Sequence, residues 1–266
     1  MNIYIRTDIE GIPGVTTMDD IIPRGTEAYE KSCRKLEQTL NWVIEACFEN
    51  GAENVYYRDG HGGGGNIKAE NIDPRAVKLE GVTWVDLARE GKFDCCLDVG
   101  THARAGTLGG FLDHTFRSKS IFEYALNGKP CSELTFIAAI LGFYDVPSVL
   151  CVGDRVACEQ AKEDIPEIRT AVVKEGTERN FCYDLPNVEQ IIKEATADAL
   201  KNYRNIPPYK LSFPITVQQT YYRTDMADVV YARSIENGKP VERVDARTLR
   251  MTVPEFNSYF DLRFSE

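Results

Sequence analysis

The chain is poor in the side chains that bind metals or react most readily. It has three histidines in 266 residues, and its eight cysteines form no C-x-x-C pair. That spacing argues against a cysteine-rich zinc module. Without a recognisable signal peptide, a chain this long is also not expected to carry a disulfide framework. Most of the cysteines fall in segments that read as helices or strands, where Cys behaves as a small apolar residue. Basic residues are outnumbered, 31 against 41 acidic, for a net charge of −10. A phosphate backbone as the main partner needs the opposite balance, so no nucleic-acid partner is expected. No apolar run approaches the ~18–20 residues that span a bilayer, and the N-terminus has no apolar h-region. The expectation is a cytoplasmic protein with no membrane partner. Repeats and low-complexity segments are absent. So are the G-x-x-x-x-G-K-[ST] loop and a helix-opening G-x-G-x-x-G, which sets aside nucleotide binding at the glycine run of residues 62–65.

What remains is an ordinary globular composition, 43% hydrophobic and 27% charged, long enough to bury a sizeable core. Residues 2–7 alternate as a strand and run into Asp8-Ile9-Glu10-Gly11. Residues 27–50 carry Leu36, Leu40, Val43, Ile44 and Cys47 on one helical stripe, with Gly51 as the stop. Residues 54–58 form the next strand, which makes a β-α-β unit with parallel strands. Residues 93–99 read as a third parallel strand, and residues 147–152 as another. Asp154 is placed to cap the helix that follows, and Asn127-Gly128 marks a hairpin. From about residue 165 the pattern changes to mixed strands and helices, with a closing helix expected from Pro254. The fold class expected is therefore α/β: a parallel-stranded N-terminal sheet with flanking helices over residues 1–165, then a smaller α+β portion over 166–266. The second portion would serve assembly and shape the pocket.

All three histidines follow the ends of predicted parallel strands, where α/β proteins keep their chemistry. Asp8 and Glu10, two apart in extended chain, project to one face. Two adjacent carboxylates repel unless a cation neutralises them, so the pair is half a metal site. His61 ends the second strand in Asp59-Gly60-His61, where Asp59 could orient the ring as carboxylates do behind metal-bound imidazoles. His102 follows the third strand. Glu133 opens a buried helix, either as an acid favoured by the helix dipole or as a further ligand. Asp8, Glu10, His61, His102 and Glu133 make five N/O ligands, a set that suits two divalent ions about 3.5–4 Å apart. Zinc fits mixed imidazole and carboxylate ligation best, and Mn2+ and Co2+ share it. His114 lies in the same glycine-rich segment as His102. It could act on the reaction as proton donor or oxyanion stabiliser, bind metal as a third imidazole, or simply pack.

Five separated motifs, Asp8-x-Glu10-Gly11, Asp59-x-His61, Gly100-x-His102-Ala103-Arg104-Ala105, His114 and Glu133-Leu134, keep their order and spacing. In this the chain resembles the zinc-dependent D-aminopeptidase family of dipeptide-transport operons, through most of residues 1–175 and fading after that. Arg6 stands where a small Ser is expected, and Gly62 to Gly65 replace a more ordinary loop. The resemblance implies a binuclear zinc aminopeptidase that removes D-configured or small N-terminal residues from short peptides. It implies Asp8, Glu10, His61, His102 and Glu133 as ligands, with Asp8 as the bridge, and His114 as a catalytic residue. It also implies a ring-like homo-oligomer, a decamer being one such closed assembly, with active sites facing an internal space. Aromatic residues between 256 and 264 offer a contact surface. The competing functions are another two-metal amide or ester hydrolase, and a non-catalytic peptide-binding scaffold of a transport system.

Overall fold

A computed structural model describes all 266 residues. The chain opens with strand β1 (Asn2–Thr7), helix α1 (Glu27–Glu49), and strands β2 (Asn54–Asp59) and β3 (Ala76–Lys78). Helix α2 (Thr83–Arg89) and strand β4 (Cys95–Thr101) follow, then the hairpin of β5 (Ile121–Leu126) and β6 (Lys129–Pro130) around Asn127-Gly128. Next come α3 (Glu133–Gly142), β7 (Ser148–Asp154), α4 (Arg155–Asp164), β8 (Arg169–Glu178), β9 (Phe181–Asp184) and α5 (Val188–Asn202). The chain closes with β10 (Ile215–Tyr221), α6 (Thr224–Glu236), β11 (Val241–Arg243) and β12 (Thr248–Val253). No helix is long and apolar enough to cross a membrane.

The strands form two sheets. The larger has the order β3-β2-β1-β4-β7-β8-β9 and is parallel except for the β8–β9 pair. The smaller, β11-β12-β10-β5-β6, is antiparallel. This is the expected α/β class with flanking helices. The sheets interleave along the chain: β5 and β6, before residue 165, belong to the small sheet, while β8 and β9, after it, extend the large one. One core lies between the large sheet and α1, α4 and α5, with Ile3 and Ile5 of β1 against Leu36, Leu40 and Val43 of α1. The other lies between the sheets, where Tyr4, Trp84 and Phe93 meet Tyr124, Phe136, Val217 and Met251. Alternation along β1 feeds both cores, since successive side chains leave on opposite faces.

Local signals explain most element ends. Thr26 Oγ1 accepts from Tyr29 N and caps α1, and Ser132 Oγ accepts from Thr135 N and caps α3. Asp154 does the same for α4 through Ala157 N. Helix α3 is buried from Leu134 through Gly142, as expected of a helix apolar all round. The closing helix expected from Pro254 is replaced by one short 3-10 turn at Tyr259–Leu262. The apolar residues there follow the shape of the inter-sheet core instead of a helical period. Phe256 stacks on Phe143, Leu262 and Phe264 are buried, and Phe260 is the exposed aromatic. Residues 256–264 are thus mostly half-buried against the inter-sheet core, and Phe260 is the large apolar side chain they leave for a contact surface.

Candidate metal centre

In the parallel register, Thr7 of β1 is level with Asp59 of β2 and Val99 of β4. The residues that follow these strand ends therefore emerge side by side. Strand order reverses direction at β1, so the site lies at the topological switch point of the sheet. Backbone contact draws the β1 and β4 loops together: Asp8 N donates to Val99 O at 2.7 Å, and Gly11 N to Gly100 O at 2.9 Å. Only glycine permits this. A Cβ on Gly100, whose φ is +84°, would fall 2.0 Å from Asp8 O, and one on Gly11 would fall 2.1 Å from Thr101 O. From the other side, the buried Lys174 of β8 donates from Nζ to Glu10 O at 2.9 Å and also to Val15 O. Burial pushes the Lys174 amine below its ordinary pKa.

Asp8, Glu10, His61, His102, His114 and Glu133 all converge on one cluster. Their donor atoms fall in two groups of three, Asp8 with Glu10 and His61, and His102 with His114 and Glu133. Within each group the donor atoms lie within 4.8 Å of one another. His61 Nδ1 is 3.2 Å from both Asp8 Oδ1 and Glu10 Oε2. His102 Nε2 is 3.5 Å from Glu133 Oε1 and 3.7 Å from Asp8 Oδ2. The rings of His102 and His114 stack at 4.0 Å, only 7° from parallel. His114 N donates to Ala103 O at 3.2 Å, which folds the loop back and sets the two imidazoles together.

The cluster fits divalent metal on its own chemistry. His102 donates from Nδ1 to Ala103 O and His114 from Nδ1 to Leu112 O, assigning the protons so that both Nε2 lone pairs face the carboxylates. His102 Nε2 is buried and has no hydrogen-bond partner. An orphaned buried acceptor beside two carboxylates is costly unless a cation completes it. Burial alone would lower the His102 pKa, but Glu133, Glu10 and Asp8 overrule it and raise it to about 10. The same opposition at His61, burial against Glu10 and Asp8, ends at about 11. Both imidazoles thus register a strong local excess of negative charge. Glu133 is placed where either reading of it can apply. It sits in the first turn of α3, and it reaches the cluster while Oε1 accepts from Phe116 N at 2.9 Å.

Two features differ from expectation. Asp59 does not orient the His61 ring. Its carboxylate accepts from Asn66 N and Nδ2, and Asn66 Nδ2 also holds His61 O, so Asp59 fixes the loop backbone through Asn66. Nothing in the sequence marks Asn66 for this role except its place after the glycine run. Arg6, unusual in the sequence only for standing where a small Ser is expected, is central to the cluster. It is 3% exposed, and its Nη2 lies 2.8 Å from both Asp8 Oδ2 and Glu133 Oε2. Its Nη1 is 3.8 Å from Asp98 Oδ1, a carboxylate buried within β4. Burial raises Asp98 to about 7 against the pull of Arg6. At Asp8, burial is outweighed by Arg6, His61 and His102, and the carboxyl titrates well below its usual range. A charged residue two positions before Asp8, inside an otherwise apolar strand, was the available signal.

The cluster opens into a cavity of about 1080 Å³, of the size that takes a short peptide. Comparison with known proteins follows the same lines. The model of the D-aminopeptidase family, peptidase M55, matches residues 1–263, so the likeness reaches well past residue 175, where the motifs fade. A D-aminopeptidase of Bacillus subtilis (strain 168) is 30% identical over 213 residues, 78% of this chain and 77% of that protein. A solved structure of similar fold is the Zn-dependent D-aminopeptidase DppA from Bacillus subtilis, described as a self-compartmentalizing protease. It matches with a TM-score of 0.84 at 25% identity, covering 96% of this chain and 92% of that one.

Proposed function

The chain belongs to the D-aminopeptidase family, and from that premise we propose that it is a two-zinc aminopeptidase releasing D-configured or small N-terminal residues from short peptides. The observation that carries this reading is the convergence of three carboxylates and three imidazoles in two groups of three, all but the buried His102 lining one cavity. Asp8, Glu10, His61, His102 and Glu133 are the residues we assign to hold the ions. Bound there, zinc would supply Lewis acidity that activates a water and polarises the scissile carbonyl.

The chain's own groups do the rest. Arg6 holds one oxygen of Asp8 and one of Glu133, which leaves Asp8 Oδ1 and Glu133 Oε1 directed at the two donor groups. Pre-set ligands of this kind need little reorganisation on loading. His114 presents Nε2 to the cluster without hydrogen-bonding it, 3.8 Å from Glu133 Oε1 and 4.0 Å from Glu10 Oε1. We assign this nitrogen the transfer of a proton to the leaving amine. Its grouping with His102 and Glu133 favours a second role, as a sixth ligand. Metal retention in a His114 variant separates the two.

Like the neighbour described as self-compartmentalizing, the protein is proposed to assemble into a closed homo-oligomer. The reading is tested by metal analysis of protein purified without added metal, together with p-nitroaniline release from D-Ala and L-Ala anilides. Two zinc equivalents per chain and turnover abolished by chelation are expected. Protein that keeps full activity without metal would contradict it.

A further inference from the structure

The charge of the cavity is opposite to that of the chain. The net charge is −10, yet the only acidic residues lining the cavity are Asp8, Glu10 and Glu133, all in the metal cluster. Apart from Arg6, which those carboxylates hold, six cationic side chains line it: Arg24, Arg58, Arg117, Lys119, Arg179 and Arg263. They come from segments far apart in sequence, so no single basic run accounts for them.

Three of the six cations have a carboxylate partner, and two of those share one. Arg117 and Arg263 share one carboxylate, Glu266, at 2.7 and 3.5 Å, and Arg179 pairs with Asp113 at 3.3 Å. Arg24, Arg58 and Lys119 have no carboxylate within the 4.0 Å limit of an ion pair. Arg24 is nevertheless held in place. Its Nη2 donates to His61 O and Asn66 Oδ1, both at 3.2 Å, and its guanidinium lies 5.6 Å from the centre of the Tyr29 ring. Gly62 leaves it room, since a Cβ there would fall 2.5 Å from Arg24 Nη2. The glycine loop thus seats a guanidinium beside His61. Arg263 is likewise fixed, stacked 3.7 Å over Phe116. Arg24, positioned without an anionic partner, is ready to receive a carboxylate, and Arg263, which shares Glu266 with Arg117, is only partly neutralised.

We propose that the peptides this site selects are acidic, carrying side-chain carboxylates beyond the N-terminal residue that is released. The proposal rests on the aminopeptidase reading and deepens it. One cation would be enough for a terminal carboxylate. Six around the cluster, three of them with no carboxylate partner and two more sharing one, match a substrate with several. Opposite charge inside a cleft also concentrates such a substrate from solution.

The test uses the full-length zinc-loaded protein and two tripeptides, Ala-Glu-Glu and Ala-Gln-Gln, each with D- and L-alanine at the N-terminus. The acidic member should have the higher kcat/KM by about tenfold or more, the scale of one charge-assisted hydrogen bond. The ratio should shrink as salt screens the cavity, and should fall in Lys119→Gln, an exposed residue whose loss leaves the fold alone. Equal or faster cleavage of Ala-Gln-Gln overturns the proposal while leaving the aminopeptidase reading intact. If neither peptide is cleaved, the aminopeptidase reading fails. Calorimetric binding of the same pair then judges the charge preference alone, with tighter Ala-Glu-Glu supporting it and equal affinity overturning it.

Discussion

Arg6 brings its charge into a place where charge is expensive. It is surrounded by Asp8, Asp98 and Glu133 and is 3% exposed. Removing one member of a buried ionic cluster leaves the others uncompensated, at a cost of about 3–5 kcal/mol. Arg6→Met should therefore lose stability on that scale in denaturant unfolding with chelator present. Much of the loss should return when zinc is added, because divalent ions neutralise the same carboxylates. A variant as stable as the parent under chelation would show that Arg6 does not hold the cluster. This role was beyond reach in the sequence because Glu133, one of its partners, lies 127 residues away. Asp8, Glu10, His61 and His102 were legible, since each follows a strand that its own alternation reveals. At His114 the sequence left three roles open, and its place against His102, Glu133 and Glu10 is the ground for the two proposed for it. His114→Ala should retain both metal ions while turnover falls by about 10²–10⁴, the usual loss for a general acid–base group. Loss of one equivalent in metal analysis would instead make His114 a ligand.

At the scale of elements, the site depends on how closely the ends of β1 and β4 approach. Gly100→Ala would place a methyl 2.0 Å from Asp8 O at a φ of +84°, so the Asp8 loop must move. Backbone strain of this kind costs about 1–3 kcal/mol, and displaced ligands bind less tightly. The variant should unfold earlier and take up zinc with lower affinity, by thermal melts and calorimetry. Unchanged zinc affinity would mean that the β1–β4 contact does not position Asp8. The elements themselves were readable where burial imposes a period: α1 with its stripe, β1, β2, β7, and the capped α4 all lie close to their expected bounds. The unreadable ones are short or exposed. β9 leaves Phe181 and Tyr183 on the surface, and β11 is only Val241–Arg243. Their pairing comes from neighbouring strands, which local pattern does not report. The interleaving of the two sheets was hidden for the same reason, because β5 pairs with β10, from far later in the chain.

For the whole molecule, the arrangement of charge bears on assembly. Arg24, Arg117, Lys119 and Arg179 are exposed around the cavity of a chain whose net charge is −10. In a closed ring with its cavities facing inward, the basic residues would line the interior and the acidic excess would lie outside. Subunits of like net charge repel, so such a ring must be held by apolar contacts strong enough to overcome that repulsion. Phe260 of the 256–264 segment is 58% exposed, Leu108 is 98% exposed, and Phe122 and Tyr222 form an exposed edge-on pair. Light scattering at micromolar concentration should give a mass several times 30.0 kDa. Enclosure should also make cleavage depend on access: kcat/KM should fall as peptides lengthen beyond a few residues, and folded proteins with free N-termini should be spared. A 30.0 kDa particle that trims long and short peptides alike would show open, independent subunits, and the peptide-length limit would then have to come from the cavity of a single chain.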